Sequence, residues 1–456
     1  MKSIPSGPST PESLGIVHPH AAGLDIGRAE IWVCVPTDRD PQPVRGFGTF
    51  TPDLEALADW LQACHIETVA MESTGVYWIP IYDLLEARGL QACLVNARHV
   101  KNVPGRKSDV QDCQWIQRLH TYGLLNASFR PEAELCALRA YLRHRRMLIE
   151  CRAAHIQHLQ KALQQMNVQL TQVLSDITGE TGLQIIRAIV AGQRDPVHLA
   201  QLRNPRCQHS QDEIAQALTG HYQAEHVFAL KQALALYDFY TVQIQACDVE
   251  IEQHYHTCSP AGETLPPLPP STKTNTHSKN TPAFDVRAEL YRLTGVDLTA
   301  INGLNASTVQ DIVSEIGTQM GKWPTEKHFC SWLHLAPHND ISGGKVLRSH
   351  VLKGQNRAAQ AFRLAAQAVS KTDTALGAFY RRMRARLGAE QAIVATAHKL
   401  ARLVYHLLKQ HEPYQVSSAH EYDQAVQQRE LNYLKRKAKQ LGFMLEPLPG
   451  SSAQPG

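Results

Sequence analysis

The sequence predicts an α/β domain at the N-terminal end of the chain and a longer, mostly α-helical part after it. Up to about residue 130, short apolar strand-like runs alternate with amphipathic helical patterns. Beyond Pro131, leucine and isoleucine recur every seventh residue, as they do in long packed helices. At 456 residues the chain exceeds what one hydrophobic core usually supports, so we expect two or three domains.

The N-terminal pattern gives three strands, then helix, strand, helix, strand and helix. The strands are predicted within Ala21 to Val35 as a pair around a turn, at Val44 to Phe50, at Thr68 to Met71 and at Ala92 to Val95. The helices are predicted at Asp53 to Ala63, at Ile79 to Arg88 and from Asp109 onward. This order matches an RNase H-like α/β domain, and several other α/β folds also accommodate it.

Two heptad series predict a helical spacer after this domain. The first contains Leu135, Leu142, Ile149, Ile156 and Leu163, and the second contains Leu230, Tyr237, Ile244 and Ile251. Arg145 and Arg152 interrupt the first series. The two segments could pair as a long antiparallel hairpin or dimerise as a coiled coil between chains, and an ordinary helical-bundle core explains the same pattern.

Composition indicates where the domains end. We predict a disordered N-terminus at 1–20, the α/β domain at 21–130, the helical spacer at 131–257, a flexible linker or insertion at 258–284, a mostly helical C-terminal domain at 285–413, and a basic helix with a disordered tail at 414–456. Within the C-terminal domain, Leu298 to Thr308 resembles the hairpin of a helix-hairpin-helix element, whose backbone amides bind phosphate. A simple turn between two helices is the alternative.

The formal net charge is only +4, but the basic residues are clustered. The clusters are Arg139, Arg143, Arg145, Arg146 and Arg152; Arg381, Arg382, Arg384 and Arg386; and Lys435, Arg436, Lys437 and Lys439. Such clusters suit a polyanion such as nucleic acid, although each could also be a solvated helix face. The ten cysteines contain no Cys-x-x-Cys pair, and no apolar run approaches the length of a membrane span. We therefore expect a soluble cytoplasmic protein without disulfides.

Four carboxylates stand where the predicted α/β domain would collect them. Asp25 lies in an apolar strand that is closely followed by a glycine, and Glu72 ends a second apolar strand. Asp109 and Asp112 lie three residues apart at the opening of a helix. Converging carboxylates repel one another unless a hard divalent cation lies between them, and Mg²⁺ is the natural candidate. Taken singly, Asp109 could cap its helix and Asp25 could serve a turn.

A second candidate site lies in Ser342-Gly343-Gly344-Lys345. Glycines beside a serine leave its hydroxyl open to a bulky substrate such as a DNA backbone, and Lys345, Arg348 and Lys353 could bind phosphates nearby. Alone, such a motif is more often a plain turn, and it lacks the frame of a Walker loop.

Together these residues resemble the DEDD transposases of insertion sequences, the bridge-RNA-guided serine recombinases of the one-ten and eleven-eleven groups. One block runs from about Ala22 to Arg152 and the other from about Thr294 to Leu408. The motifs are Leu24-Asp25-Ile26-Gly27, Met71-Glu72-Ser73-Thr74-Gly75-Val76-Tyr77, Lys107-Ser108-Asp109-Val110-Gln111-Asp112, Ser342-Gly343-Gly344-Lys345 and Lys353-Gly354-Gln355-Asn356.

The resemblance implies that Asp25, Glu72, Asp109 and Asp112 bind Mg²⁺ on a RuvC-like fold, and that Ser342 forms a phosphoserine link to DNA. It also implies a homo-oligomer, assembled through a coiled coil, in which the serine and the carboxylates come from different protomers. A noncoding guide RNA would select donor and target DNA, in a bacterial cytoplasm and at the nucleoid. The predicted nucleic-acid contacts are Lys107, Arg143, Arg146, Lys345, Arg348 and Lys353.

Three other functions fit parts of the pattern. A RuvC-like hydrolytic Holliday-junction nuclease would use the same carboxylates with water as nucleophile. An actin-like kinase would explain Asp25-Ile26-Gly27, but the sequence lacks a second glycine-rich phosphate loop before a helix. A nucleic-acid-binding scaffold without catalytic activity would explain the basic clusters alone.

Overall fold

The computed structural model describes residues 15–73, 75–96, 108–262, 265–271, 279–352, 354 and 356–446. The chain forms two compact units, which meet in sequence between Arg130 and Pro131.

The N-terminal unit is a five-stranded sheet with helices on both faces. Its elements are β1 (Ala21–Ile26), β2 (Glu30–Cys34), β3 (Val44–Gly48), α1 (Thr51–Ala63), β4 (Thr68–Glu72), α2 (Trp78–Ala87), β5 (Gln91–Val95) and α3 (Asp109–Thr121). The strand order is β3-β2-β1-β4-β5. The first three strands are antiparallel, whereas β4 pairs in parallel with both β1 and β5. The predicted α/β class of this unit is confirmed.

Strand β4 lies at the centre of the core, and all five of its residues are buried. Leu24 and Met71 face α1 and α2 in one apolar cluster, while Ala70 faces Ile116 of α3 in another. A strand covered on both faces has to be apolar at nearly every position, which is why Thr68 to Met71 reads as a continuous apolar run. The same burial encloses Glu72 at the end of the strand.

The second unit begins with a helical hairpin and four short helices at its far end. These elements are α4 (Ala133–Gln165), α5 (Leu170–Val173), α6 (Glu180–Val190), α7 (Pro196–Ala200), α8 (Gln211–Ala217) and α9 (Ala224–Thr257). His254 contacts the carbonyl oxygen of Glu134 at 2.7 Å, and Arg152 donates to Thr241 at 3.3 Å, so α4 and α9 run antiparallel. The two predicted heptad segments thus pack against each other within one chain.

The two arginines that interrupt the first heptad series are buried between these helices. Arg145 forms an ion pair with Asp248 of α9 and donates to the carbonyl oxygen of Asn280 at 3.0 Å. Arg152 donates to the side chain of Asn280 at 2.6 Å. Asn280 lies in the predicted linker, which has neither helix nor strand in its described residues. These contacts fasten that segment to the hairpin.

The rest of the second unit is helical except for one hairpin. Its elements are α10 (Val286–Thr294), α11 (Ala306–Ile316), α12 (Glu326–Trp332), β6 (Pro337–Ser342), β7 (Lys345–Val351), α13 (Arg357–Val369), α14 (Ala375–Leu387), α15 (Ala389–Gln410) and α16 (Ala419–Gln440), with 3₁₀ turns at Leu298–Ala300 and Met320–Lys322. The mostly helical character is confirmed. Of the N-terminus predicted to be disordered at 1–20, residues 15–20 are described, and the amides of Val17 and His18 donate to the carbonyl oxygen of Thr121. Residues 1–14 and the predicted tail from 447 onward lie outside the described residues.

The segment that resembles a helix-hairpin-helix element joins α10 to α11. Gly303 has a φ of +88°, and a Cβ there would overlap Val369 and the carbonyl oxygen of Ala365. A glycine is therefore required where this turn packs on α13. The phosphate-binding role of the turn stays a prediction.

Among the described residues, no helix has the length and apolarity needed to cross a membrane. All ten cysteines are free thiols.

His120 of α3 is buried beside β4 in its neutral form. The Thr68 hydroxyl donates to the carbonyl oxygen of Gln91 at 3.1 Å, so it accepts from Nε2 of His120 at 2.9 Å. Burial, and then the charge of His18, lowers the pKa of His120 to about 4. Since an unfolded histidine has a pKa of about 6.5, the unfolded chain binds this proton first as the pH falls. The stability contributed by neutral His120 is complete above about pH 6.5 and decreases toward pH 4.

We expect the local free energy of unfolding around β4 to fall by about 2 kcal/mol between pH 7 and pH 5 because of His120, roughly a 20-fold loss of amide protection. The variant His120→Gln keeps a donor for Thr68 and has no titrating group. Hydrogen exchange of the β4 amides, corrected for intrinsic rates, should therefore show a much smaller pH dependence in this variant. An equal pH dependence in both proteins would contradict the assignment.

Candidate active site

Asp25 and Glu72 lie side by side at the carboxyl ends of β1 and β4. The parallel register pairs Leu24 with Met71, so the next two residues stand opposite each other. Successive side chains of a strand alternate between faces, and Gly23 and Ala70 both face α3. Asp25 and Glu72, two residues further along, therefore lie on the α3 face as well. Glu72 is only 9% exposed, and Asp25 is half-buried.

Helix α3 crosses this face antiparallel to β1. The amides of Val17 and His18 donate to the carbonyl oxygen of Thr121, and Gln117 donates to that of Ala21. Gly23 lies against Cys113 and Gln117 so closely that a Cβ would overlap their backbone atoms.

Asp25 lies two residues beyond Gly23 on β1, and the antiparallel course of the two elements therefore places Asp25 beside the first turn of α3. Strand and helix residues advance by about 3.3 Å and 1.5 Å respectively, so two strand positions correspond to roughly one helical turn. That turn contains Asp109 and Asp112. Ser108 is the N-cap and accepts from the amide of Gln111, so Asp109 does not cap the helix. The structure thus brings the four predicted carboxylates toward one edge of the sheet.

The chemistry of this donor set fits a hard divalent cation, because such ions prefer carboxylate oxygens. In the part of the chain that the structure describes, however, no three His, Cys, Asp or Glu side chains lie close enough to share one ion. The carboxylates share a sheet edge without forming a closed metal cage. Lys107, predicted to contact nucleic acid beside them, lies outside the described residues.

The buried thiols near these carboxylates are protonated. Burial, with added contributions from Cys34 and Asp25, raises the pKa of Cys113 to about 12. Burial also raises the pKa of Cys34 to about 11 and that of Cys93 above its usual value. Because the thiolate is the form that binds metal, oxygen rather than sulfur is the donor available to a cation at neutral pH.

Ser342 is exposed at the tip of the β6–β7 hairpin. Gly343 and Gly344 have φ values of +54° and +76°, which a two-residue hairpin turn with a left-handed backbone requires. The sequence predicts a mostly helical domain here and no strand, because the segment lacks the apolar alternation of a half-buried strand.

The register of the hairpin places six polar side chains on one face. The pairs are Ser342 with Lys345, Asp340 with Arg348, and His338 with His350. The register shifts between Asp340 and Ile341, and Leu347 is the extra, unpaired residue on β7. Because β7 carries this bulge, the paired side chains on either side of it still lie on the same face of the hairpin. The serine hydroxyl thus shares its face with a carboxylate, two histidines and two cations.

Asp340 is the carboxylate nearest to Ser342 on this strand face. It lies 3.8 Å from His338 and 3.8 Å from His350, whose rings are 5.5 Å apart. His350 was missed from the sequence. The His-x-Asp-x-Ser spacing could have indicated a shared strand face, but only the register adds His350 to it.

The predicted nucleic-acid contacts have different surroundings. Arg143 forms a bidentate ion pair with Glu315 of α11, at 2.7 and 2.9 Å, and Arg146 pairs with Asp311 of the same helix. Lys345 and Arg348 are exposed on the hairpin, and Lys353 lies outside the described residues. The hairpin cations are therefore the more accessible to a phosphate.

Comparison with protein families supports a single assignment. A DEDD-type transposase model named for IS110 matches residues 22–168, which include all four carboxylates. A second model, described as transposase of the IS116/IS110/IS902 family, matches residues 297–381, which include Ser342. No curated protein matches the chain. The two matches together span half of the sequence in the order found here, and the chain belongs to the IS110 family of DEDD insertion-sequence transposases.

Proposed function

We propose that this transposase cuts DNA with Ser342 as the nucleophile and rejoins it from a phosphoserine intermediate, while Asp25, Glu72, Asp109 and Asp112 bind Mg²⁺. The observation that carries this proposal is the presence in one chain of two separate arrangements. One is a carboxylate set gathered toward the edge of a sheet. The other is an exposed serine at a hairpin tip, with cations on the same face.

We assign the N-terminal unit to the RNase H/RuvC-like folds. The order β3-β2-β1-β4-β5, with three antiparallel strands followed by two parallel ones, supports this assignment. So does the origin of the carboxylates in β1, β4 and α3. A divalent ion bound there would stabilise charge on the oxygens of the scissile phosphate.

In the cutting step the Ser342 oxygen forms a bond to phosphorus, and the bond from phosphorus to one deoxyribose oxygen breaks. The serine proton passes to Asp340, and the departing deoxyribose oxygen takes a proton from solvent water to become a hydroxyl. Lys345, opposite Ser342 in the register, neutralises part of the phosphate charge. A deoxyribose hydroxyl of the new partner strand reverses the step. Rejoining needs no ATP because the phosphodiester bond energy is retained.

We further propose that the protein acts as a homo-oligomer assembled through α9. Besides the series that packs on α4, another apolar heptad series follows the opposite, exposed face of α9. It consists of Phe228, Ala235, Phe239, Val242, Ala246 and Val249. Phe239 is 53% exposed and Val242 is 58% exposed. An apolar seam with a seven-residue period on a long helix is typical of a coiled-coil contact. The family resemblance supports a bridge RNA that selects the DNA sites.

The variant Ser342→Ala should abolish covalent protein–DNA adducts with labelled element ends, because it removes the attacking oxygen. DNA binding should be unchanged. Ser349→Ala, on the opposite face of the same hairpin, is the matched control and should form adducts normally. Adducts that persist without the Ser342 hydroxyl would rule out the proposed nucleophile, and nicking without any adduct would indicate a hydrolytic nuclease.

The variant Asp109→Asn should lower the cleavage rate at least about 100-fold. Mutating a residue that only hydrogen-bonds to a metal ligand already lowers activity by up to about 100-fold, and the loss of the ligand itself should lower it at least as much. Asp38→Asn, an exposed aspartate outside the carboxylate set, should cleave at the wild-type rate. Cleavage assays across a Mg²⁺ titration test this expectation. A normal rate at low Mg²⁺ in the Asp109 variant would exclude it as a ligand.

The double variant Phe239→Glu with Val242→Glu should dissociate the oligomer, because it places charge in the apolar seam of α9. Leu364→Glu, at an exposed apolar position on α13, is the control. Sedimentation velocity at matched concentrations should show a lower mass for the double variant only. If both variants keep the wild-type mass, this face of α9 is not the oligomer contact.

A further inference from the structure

The C-terminal helix α16 lies beyond both family matches, and its first half is anchored to the second unit. A capping box between Ser418 and Glu421 starts the helix. The Lys399 ammonium group lies 4.8 Å from the Tyr422 ring and 4.5 Å from the Phe379 ring, between α16 and α14. These contacts fix the direction in which the helix leaves the unit.

The second half of α16 has no buried residue. From Gln427 to Glu446 every residue is exposed except Ala438, which is half-buried. Since α14 ends at Leu387 and has far fewer residues than α16, the later turns of α16 extend without a packing partner among the described residues. Most helical stability comes from packing, so an extended helix of this kind gains from a bound partner.

This exposed half is strongly basic. Residues 431–445 contain Lys435, Arg436, Lys437 and Lys439 and no aspartate or glutamate. Within the described ranges, none of these four cations forms an ion pair, although Arg382 on the neighbouring helix pairs with Glu430 just before them. The helix dipole favours cations in the last turn, but that effect is only about 0.3 to 1 kcal/mol for each charge. It does not account for four cations within five residues that have no counter-charge.

The arrangement of the four cations favours nucleic acid over a membrane surface. At about 100° per residue, Lys435, Arg436 and Lys437 span more than half of the helix circumference, with Tyr433 among them. Within the helix the apolar positions Leu431 and Leu434 lie only about 60° apart, which is narrower than the apolar face of at least about 100° that amphipathic helices bury. The exposed apolar residues Leu441, Phe443 and Met444 follow the end of the helix at Gln440. Cations over more than half of a helix circumference, with an exposed aromatic ring among them, suit a phosphate backbone.

We propose that the projecting half of α16, from Gln427 to Gln440, is an additional nucleic-acid-binding arm that contacts backbone phosphates without reading sequence. The arm contributes binding affinity and takes no part in cleavage. The proposal for this arm therefore does not depend on whether Ser342 is the nucleophile. Duplex DNA and duplex RNA present the same phosphate chemistry, and the experiment distinguishes them.

The test compares two variants of the full chain that each lose four cations. In the arm variant, Lys435, Arg436, Lys437 and Lys439 are changed to Gln; in the control variant, Lys161, Lys231, Lys327 and Lys371 are changed to Gln. Fluorescence anisotropy measures binding to a short DNA duplex of unrelated sequence between about 50 and 200 mM NaCl. The slope of log affinity against log salt should fall by about 2 to 4 for the arm variant and by less than about 1 for the control.

Four further measurements complete the design: helix content, a Lys-to-Arg version of the arm, binding to an RNA duplex, and binding to phosphatidylserine vesicles. Circular dichroism shows whether the arm variant keeps its helix content, and a Lys-to-Arg version of the arm should retain the wild-type slope. An RNA duplex in the same assay shows which nucleic acid the arm prefers. Equal slopes for the arm and control variants on both duplexes would overturn the proposal. So would loss of binding to phosphatidylserine vesicles with unchanged slopes, because the arm would then be a membrane contact. Covalent adduct formation tests Ser342 separately.

Discussion

The close contact between α3 and β1 determines where the carboxylates of the N-terminal unit lie. Gly23 allows the backbone of α3 to approach where any side chain would collide with Cys113 and Gln117. With that approach fixed, the antiparallel course of α3 brings the turn that carries Asp109 and Asp112 toward the ends of β1 and β4. A side chain at Gly23 would push the helix away from the strand and separate the two pairs of carboxylates. The geometry of the candidate metal site therefore depends on the absence of a side chain two residues before Asp25.

In the second unit a buried ion pair has a comparable role. Removing Arg145 and Asp248 from water costs several kcal/mol for each ion, and their attraction repays that cost only in a good geometry. Leucine in place of both Arg145 and Asp248 would also pack between the helices, but it would constrain the register of α4 against α9 less. Charged groups that have to meet allow one register of α4 against α9, and Asn280 extends the constraint to the segment after α9. The irregular stretch that composition predicts to be flexible is thereby held against the hairpin.

The sequence predicts the parts of the fold that periodicity encodes. Short apolar runs located β1, β4 and β5, and the seven-residue repeats located α4 and α9, because burial on one or two faces leaves a pattern in the chain. The β6–β7 hairpin left no such pattern, since its residues are exposed on both faces. The partners of Arg143 and Arg146 were equally hidden. Glu315 and Asp311 follow far along the chain, and only the packing of α11 on α4 brings them close.

The three basic clusters looked equivalent in the sequence because the acidic partners that packing brings to some of them lie far away along the chain. An arginine facing a carboxylate on a neighbouring helix contributes to the fold, and a phosphate has to compete with that carboxylate for it. Arg143, Arg146 and Arg382 are of this kind. The cations of α16 have no such competitor in the described structure, and neither Lys345 nor Arg348 forms an ion pair there.

The exposed cations of the β6–β7 hairpin and those of α16 lie on elements that differ in stability. Those of the hairpin lie on a two-stranded element with little buried surface, and such elements are marginally stable alone. In the proposed mechanism, binding of DNA phosphates to that face orders Ser342 and its neighbours together, so that substrate contact and alignment of the proposed nucleophile are a single event. The cations of α16 extend from a helix already anchored through Tyr422, and they can bind phosphate without changing the hairpin. In these two proposals, affinity and catalytic alignment are assigned to different elements, so that a nonspecific contact strengthens binding without triggering cleavage.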